Sequence, residues 1–189
     1  AGIDNRVEGL LETTGILGGR RNRMTGNASA GMVSNSFILA GEDNVLESRY
    51  GRIDAAALLG GRNNVLRSQQ STIIVSRSST IDSDSTHNVI IGGSANGITG
   101  QSYRSVIIGG TNDTIRNGRG SVIYGGSNLT LDGPLMIGFN AGPPVSVQDS
   151  GIAVFGNTTI HLRSSGAANV SPLVLAEPDW PTQTQSISI

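Results

Sequence analysis

A short pattern of apolar and polar positions recurs along the chain. Two aliphatic residues are followed by two small ones, two variable positions, an asparagine, a variable position, a second aliphatic and a polar residue. Copies open at Ile16-Leu17-Gly18-Gly19, Ile38-Leu39-Ala40-Gly41, Leu58-Leu59-Gly60-Gly61, Ile73-Ile74-Val75-Ser76, Ile90-Ile91-Gly92-Gly93, Ile107-Ile108-Gly109-Gly110 and Ile123-Tyr124-Gly125-Gly126. The asparagine position holds Asn22, Asn44, Asn64, Ser79, Asn96, Asp113 and Leu129. The second aliphatic position holds Met24, Leu46, Leu66, Ile81, Ile98, Ile115 and Leu131, at spacings of 22, 20, 15, 17, 17 and 16 residues. The two longest intervals come first, which predicts protruding loops at 25–35 and 47–55. Residues 1–8 align with 40–47, so the chain is expected to begin inside a repeat. The other reading of this start is amphipathic, on the heptad spacing of Ile3, Val7, Leu10 and Thr14.

Runs of Val and Ile bounded by Gly predict strands, two per repeat, such as Val106–Ile108 and Thr114–Arg116. Two strands and two turns in about 16–17 residues predict an all-β fold, a parallel β-solenoid of the β-roll or β-helix kind. Nine or ten such coils would stack into a rod section about 45 Å long at the strand spacing. The second strand alternates, as a half-buried strand does. The polar residues after its aliphatic would stack Glu47, Arg67 and Asp82 in alternating sign, and Arg116 beside Asp132. The first strand does not alternate: Val106, Ile107 and Ile108 are all aliphatic. Its side chains point to opposite faces, so both faces need cover. A second chain would supply it, most simply in an elongated homotrimer, with Ile90, Ile107 and Ile123 at the trimer axis or in the core and Tyr124 in the core. Gly93, Gly110 and Gly126 are expected at the sharp turn after this strand. Asn22, Asn44, Asn64 and Asn96 are expected to form a structural amide ladder, not a ligand set.

Glycine at 27 of 189 residues, with aromatics at 4% and charged residues at 14%, argues against a helical bundle. The clustered aliphatics, within 37% hydrophobic residues, argue against disorder. The absence of cysteine excludes disulfides, zinc fingers and thiol catalysis. A net charge of −1 offers no bulk basic surface for nucleic acid. No apolar run approaches the 18 or so residues of a membrane span, so no membrane insertion is expected, and the start shows no signal peptide. The regular repeats are assigned to 1–132, degenerate terminal coils to 133–163, and an extended segment or tip to 164–189. All six prolines fall from Pro134 onward. Ser186-Ile187-Ser188-Ile189 alternates like an exposed or edge strand.

Candidate chemistry is sparse. His87 and His161 are the two imidazoles, and no serine sits in a Gly-x-Ser-x-Gly context. Acidic pairs for glycan cleavage are Asp82/Asp84, Glu42/Asp43 and Glu177/Asp179, but Asp82 belongs to the charge row and Asp84 to a turn. The Gly-Gly-x-Gly-x-Asp calcium pattern is absent, and neither helix nor lysine follows the Gly pairs as a phosphate loop needs. No catalytic residue, metal or cofactor is therefore assigned. The rare aromatics are the candidates for receptor contact: Trp180 with Asp179, and Tyr50 and Tyr103 in inter-repeat loops.

The segments Asn88-Val89-Ile90-Ile91-Gly92-Gly93, Ser105-Val106-Ile107-Ile108-Gly109-Gly110 and Ser121-Val122-Ile123-Tyr124-Gly125-Gly126 resemble the head repeats of trimeric autotransporter adhesins and the same repeats in bacteriophage tail fibres. The resemblance covers about 1–132 well and extends weakly to 163. It implies a trimeric β-roll that binds surfaces: a phage tail fibre or spike, extracellular on the virion. Its implied partners are a host cell-surface glycan or protein receptor and other fibre or tail proteins. It also implies that a self-cleaving chaperone can follow such a chain. The other readings are a bacterial adhesin head at the cell surface, a purely structural fibre shaft, and a glycan depolymerase tailspike.

Overall fold

In the computed structural model, the residues described are 2–26, 32–48, 52–82, 84–140, 144–148, 153–156, 174–175 and 185–186, and every regular element among them is a β-strand. The chain divides into two compact units, 1–158 and 159–189. In the second, Val174–Leu175 pairs antiparallel with Gln185–Ser186.

The first unit is a parallel β-solenoid of about 8 turns carrying two sheets of nine strands each. Sheet A stacks the non-alternating strands: Gly15–Leu17, Phe37–Leu39, Ala57–Leu59, Thr72–Ile74, Val89–Ile91, Val106–Ile108, Val122–Tyr124, Ile137–Asn140 and Ala153–Gly156. Sheet B stacks the alternating ones, from Arg6–Glu8 and Arg23–Thr25 through Gly97–Thr99 and Thr114–Arg116 to Val145–Gln148. Register follows the repeat: Ile73, Ile90, Ile107 and Ile123 are successive partners, at steps of 17, 17 and 16 residues. Both sheets continue past residue 132.

The middle residue of each three-residue strand from Arg23–Thr25 to Val122–Tyr124 points into the coil. Ile38, Leu58, Ile73, Ile90, Ile107 and Ile123 from sheet A meet Met24, Leu46, Leu66, Ile81, Ile98, Ile115 and Leu131 from sheet B in one core, all fully buried. Period-two geometry demands this, since a slip by one residue would turn every aliphatic outward.

Each coil has four sides where the sequence indicates two. One extra side is a ladder of single bridges joining Ile3, Arg20, Glu42, Arg62, Arg77, Ser94, Thr111 and Ser127. The other begins as a three-stranded sheet of Leu11–Glu12, Val33–Ser34 and Ile53–Asp54 and has a counterpart in the bridges Gln69–Thr86–Tyr103–Arg119. This corrects the two loops expected at 25–35 and 47–55: Val33 and Ile53 lie in this sheet and are buried in the core. The residues 27–31 and 49–51 lie outside those described. At the start, Arg6–Glu8 is a strand in register with Arg23–Thr25, so the heptad spacing there marks no helix.

Candidate functional site

Four surfaces follow from this frame: an internal polar spine, an outward apolar face, a charged corner and an aromatic corner.

The spine is the recurring asparagine. Each of these residues is buried, and its Oδ1 accepts the backbone N–H of the corresponding residue one coil on: Asn44 to Asn22 at 3.1 Å, Asn64 to Asn44 at 3.1 Å, Ser79 to Asn64 at 3.0 Å and Asp113 to Asn96 at 3.0 Å. The amide nitrogen donates to carbonyls of the neighbouring turn, Asn22 to Gly41 at 2.9 Å, Asn64 to Ser76 at 2.7 Å and Asn96 to Gly109 at 2.7 Å. Every hydrogen-bonding group of these asparagines is thus turned inward. Asp113 keeps half of the pattern: Oδ1 accepts from Leu129 at 2.9 Å, while buried Oδ2 has no partner. An oxygen stands where the other coils place an amide donor, and burial pushes this carboxyl up to about 6. A raised carboxyl suits a general acid, but Asp113 is sealed within the coil and meets no substrate.

A second polar row runs before the sheet A strands and has no counterpart in the sequence reading. Ser36, Ser71, Asn88 and Ser121 each accept the backbone N–H one coil on, from Ala56, Asn88, Ser105 and Met136. Its signal was the small or polar residue preceding each Val or Ile run.

The outward face of sheet A carries two columns in register. One is Leu17, Leu39, Leu59, Ile74, Ile91, Ile108 and Tyr124. The other is Gly15, Phe37, Ala57, Thr72, Val89, Val106, Val122 and Ile137. Neither holds a charge. Leu17 is 61% exposed, Leu39 47%, Tyr124 59% and Ile137 50%. Tyr124 is therefore a surface residue, not core as expected, because it is the outward neighbour of inward Ile123. Ile90, Ile107 and Ile123 all face the coil interior, so the residues flanking them form the outer surface.

On sheet B the charge row forms around Arg67, which reaches Glu47 at 2.6 Å and Asp82 at 3.9 Å. Arg116 and Asp132 are register neighbours but form no ion pair. Asp132 accepts from the Asn117 amide at 2.9 Å and the Gln148 amide at 3.5 Å instead.

Among the candidate contact residues, Trp180, Asp179 and Tyr50 lie outside the described residues, as does His161. Tyr103 is described: it sits in the connection between the strands Gly97–Thr99 and Val106–Ile108, where it joins the bridge ladder between Thr86 and Arg119. The His87 and Tyr103 rings meet in a T-shaped arrangement with centroids 5.0 Å apart, and the Arg104 guanidinium lies 4.8 Å from the Tyr103 centroid. At the opposite corner Glu42 and Asp43 are surrounded by Arg20, Arg21 and Arg62, whose hydrogen bonds and charge hold both carboxyls below their usual range. Such carboxylates stay ionised and engaged. Among the described residues no three metal-ligating side chains cluster, and no helix is long and apolar enough to cross a membrane. No protein-family model matches the chain, and no curated protein is similar enough to it to count as a relative.

Proposed function

We propose that this chain is a rod segment of a homotrimeric host-attachment fibre of the phage tail-fibre or spike kind, borne outside the cell on the virion, with a cell-surface glycan or protein as receptor. The observation that carries this reading is the uncharged apolar face of sheet A, repeated on successive coils and covered by none of the described residues. Contiguous exposed apolar surface marks an interaction site. A partner that matches it along its length needs the same rung spacing, and a second copy stacked in the same direction has it. Three copies about one axis each bury one such face in a closed arrangement with no unmatched surface.

Sedimentation equilibrium tests the assembly. Three chains are expected; a stable, soluble monomer overturns the reading. The variant Ile91→Glu/Ile108→Glu, which changes only outward positions, is expected to dissociate the trimer while keeping the β circular dichroism of the coil. Competition of the purified chain against phage adsorption tests attachment. Loss of adsorption supports a receptor-binding segment, and a trimer that never competes reduces it to shaft.

A further inference from the structure

The buried asparagine row ends on a carboxyl. In the coil before it, the Asn96 side chain makes two links to the next coil: Oδ1 accepts the Asp113 N–H at 3.0 Å, and Nδ2 donates to the Gly109 carbonyl at 2.7 Å. Asn5 and Asn44 make the same second link, to the Gly18 carbonyl at 2.9 Å and the Gly60 carbonyl at 3.2 Å. Asp113 is fully buried and repeats the first link, to the Leu129 N–H, but its Oδ2 has no partner for the second. The counterpart of Gly109 one rung on is Gly125, because Ile107 and Ile108 pair with Ile123 and Tyr124. A Cβ on Gly110 would lie 2.0 Å from Asp113 Oδ2 and 3.2 Å from the Gly125 carbonyl oxygen, so the two oxygens flank one point. Two buried acceptors turned toward each other leave both unsatisfied unless a hydrogen lies between them. Among the described residues, the titratable side chains on the strands stacked around Asp113 are Arg116, Asp132 and Tyr124. Arg116 and Tyr124 are exposed, and the Asn117 and Gln148 amides take Asp132. The corner ladder beside it holds Ser94, Thr111 and Ser127, and its nearest charge is Arg77, two rungs from Thr111. No cation is placed to offset a negative charge on this carboxyl.

We propose that Asp113 is a proton-operated latch between coils: its neutral carboxyl donates from Oδ2 to the Gly125 carbonyl, and loss of that proton loosens residues 121–132 from the coil before them. The proton takes the place of the amide hydrogen that the other coils supply, and Leu129 ends the row immediately after it. Ionisation instead sets an unpaired buried charge against a carbonyl oxygen, which the rung relieves by opening to water. In the opened rung the carboxyl returns to its ordinary value of 3.8, whereas in the closed one burial pushes it up to about 6. Closing therefore takes up a proton between those values, so the rung is fully latched below about 4 and is released as pH rises to about 6. The latch lies within the single chain and does not depend on the attachment reading.

Two measurements on the whole protein test this. Carbon NMR across mildly acid and neutral pH is expected to show the Asp113 carboxyl and the Gly125 carbonyl titrating together at about 6. Amide exchange, corrected for its intrinsic pH dependence, is expected to show the opening of 121–132 rising about ten-fold per pH unit between about 4 and about 6 and then levelling. The strand Thr72–Ile74, three rungs from Val122–Tyr124, is expected to stay level. Asp113→Asn installs the residue that the other coils carry and so keeps the fold; it is expected to abolish the rise. Asp132→Asn, the same change on the outward face, is expected to keep it. An Asp113 carboxyl that titrates at its ordinary value, a Gly125 carbonyl that does not follow it, or a rise that survives in Asp113→Asn overturns the proposal.

Discussion

Gly93 and Asn96 depend on each other. A Cβ on Gly93 would fall 2.5 Å from the Gly109 and Gly110 carbonyl oxygens and overlap the Asn96 amide, and its φ of 76° already disfavours a side chain. Gly92 shares the positive φ, yet a Cβ there meets nothing. Ala40 and Val75 occupy the equivalent place with φ of 56° and 43°. Gly93→Ala should therefore lower the thermal midpoint well beyond Gly92→Ala, which carries only the left-handed strain of about 1–2 kcal/mol. The coil with Ser79 shows the same dependence reversed: the shorter hydroxyl leaves room, Ser76 replaces glycine, and their oxygens meet at 2.5 Å. Ser79→Asn alone should destabilise and Ser76→Gly/Ser79→Asn should recover, a coupling that a double-mutant cycle reads directly. Asp113 makes the third prediction at this scale. The fold holds its proton more tightly than the unfolded chain does, so its contribution is complete below its ordinary value of 3.8 and is lost as pH rises through about 6. Asp113→Asn restores the missing donor and should stabilise by on the order of 1–3 kcal/mol at pH 8 and by little at pH 4; equal effects at both would reject this account.

At the scale of elements, the two principal strands were legible because their signal is periodic. Thr114-Ile115-Arg116 alternates, Val106-Ile107-Ile108 does not, and the structure places them in sheets B and A as that difference requires. The Arg67 row was legible from charge order. Arg67 and Glu47 are largely buried, at 17% and 16% side-chain exposure, so Arg67→Gln should destabilise by about 1–3 kcal/mol, against about 2–5 kcal/mol for Ile107→Ala in the core, as denaturant midpoints would show. The remaining two sides of the coil were not legible. They are built from one- and two-residue pieces such as Gln69, Thr86 and Tyr103, too short to carry a period, and only stacking aligns them. The expected Arg116–Asp132 pair failed for a related reason: register brings the two residues opposite, but the neighbouring Asn117 and Gln148 amides take the carboxylate.

For the whole molecule, the solenoid makes each coil the template for the next, so stability is a sum of rungs and their interfaces. A damaged middle rung should then uncouple its two sides. Ile107→Ala should broaden the thermal transition more than the same loss near an end, as in Met24→Ala. The sequence by itself determined the coil: repeat length fixed the rung, aliphatic positions fixed which residues lie inside, and the glycine and asparagine positions fixed the turn and its hydrogen bonds. Those are local constraints, set by side-chain parity and backbone conformation within about 17 residues. The tertiary structure alone decided what one rung presents beside the next. It set Tyr124 beside Ile108 in one apolar column and Arg62 against Arg77 at the rim of a groove. It also left Asp113 Oδ2 without a donor. Each of these is a relation between residues 15 or more apart in sequence and one strand spacing apart in space, and only the stacking register makes them neighbours.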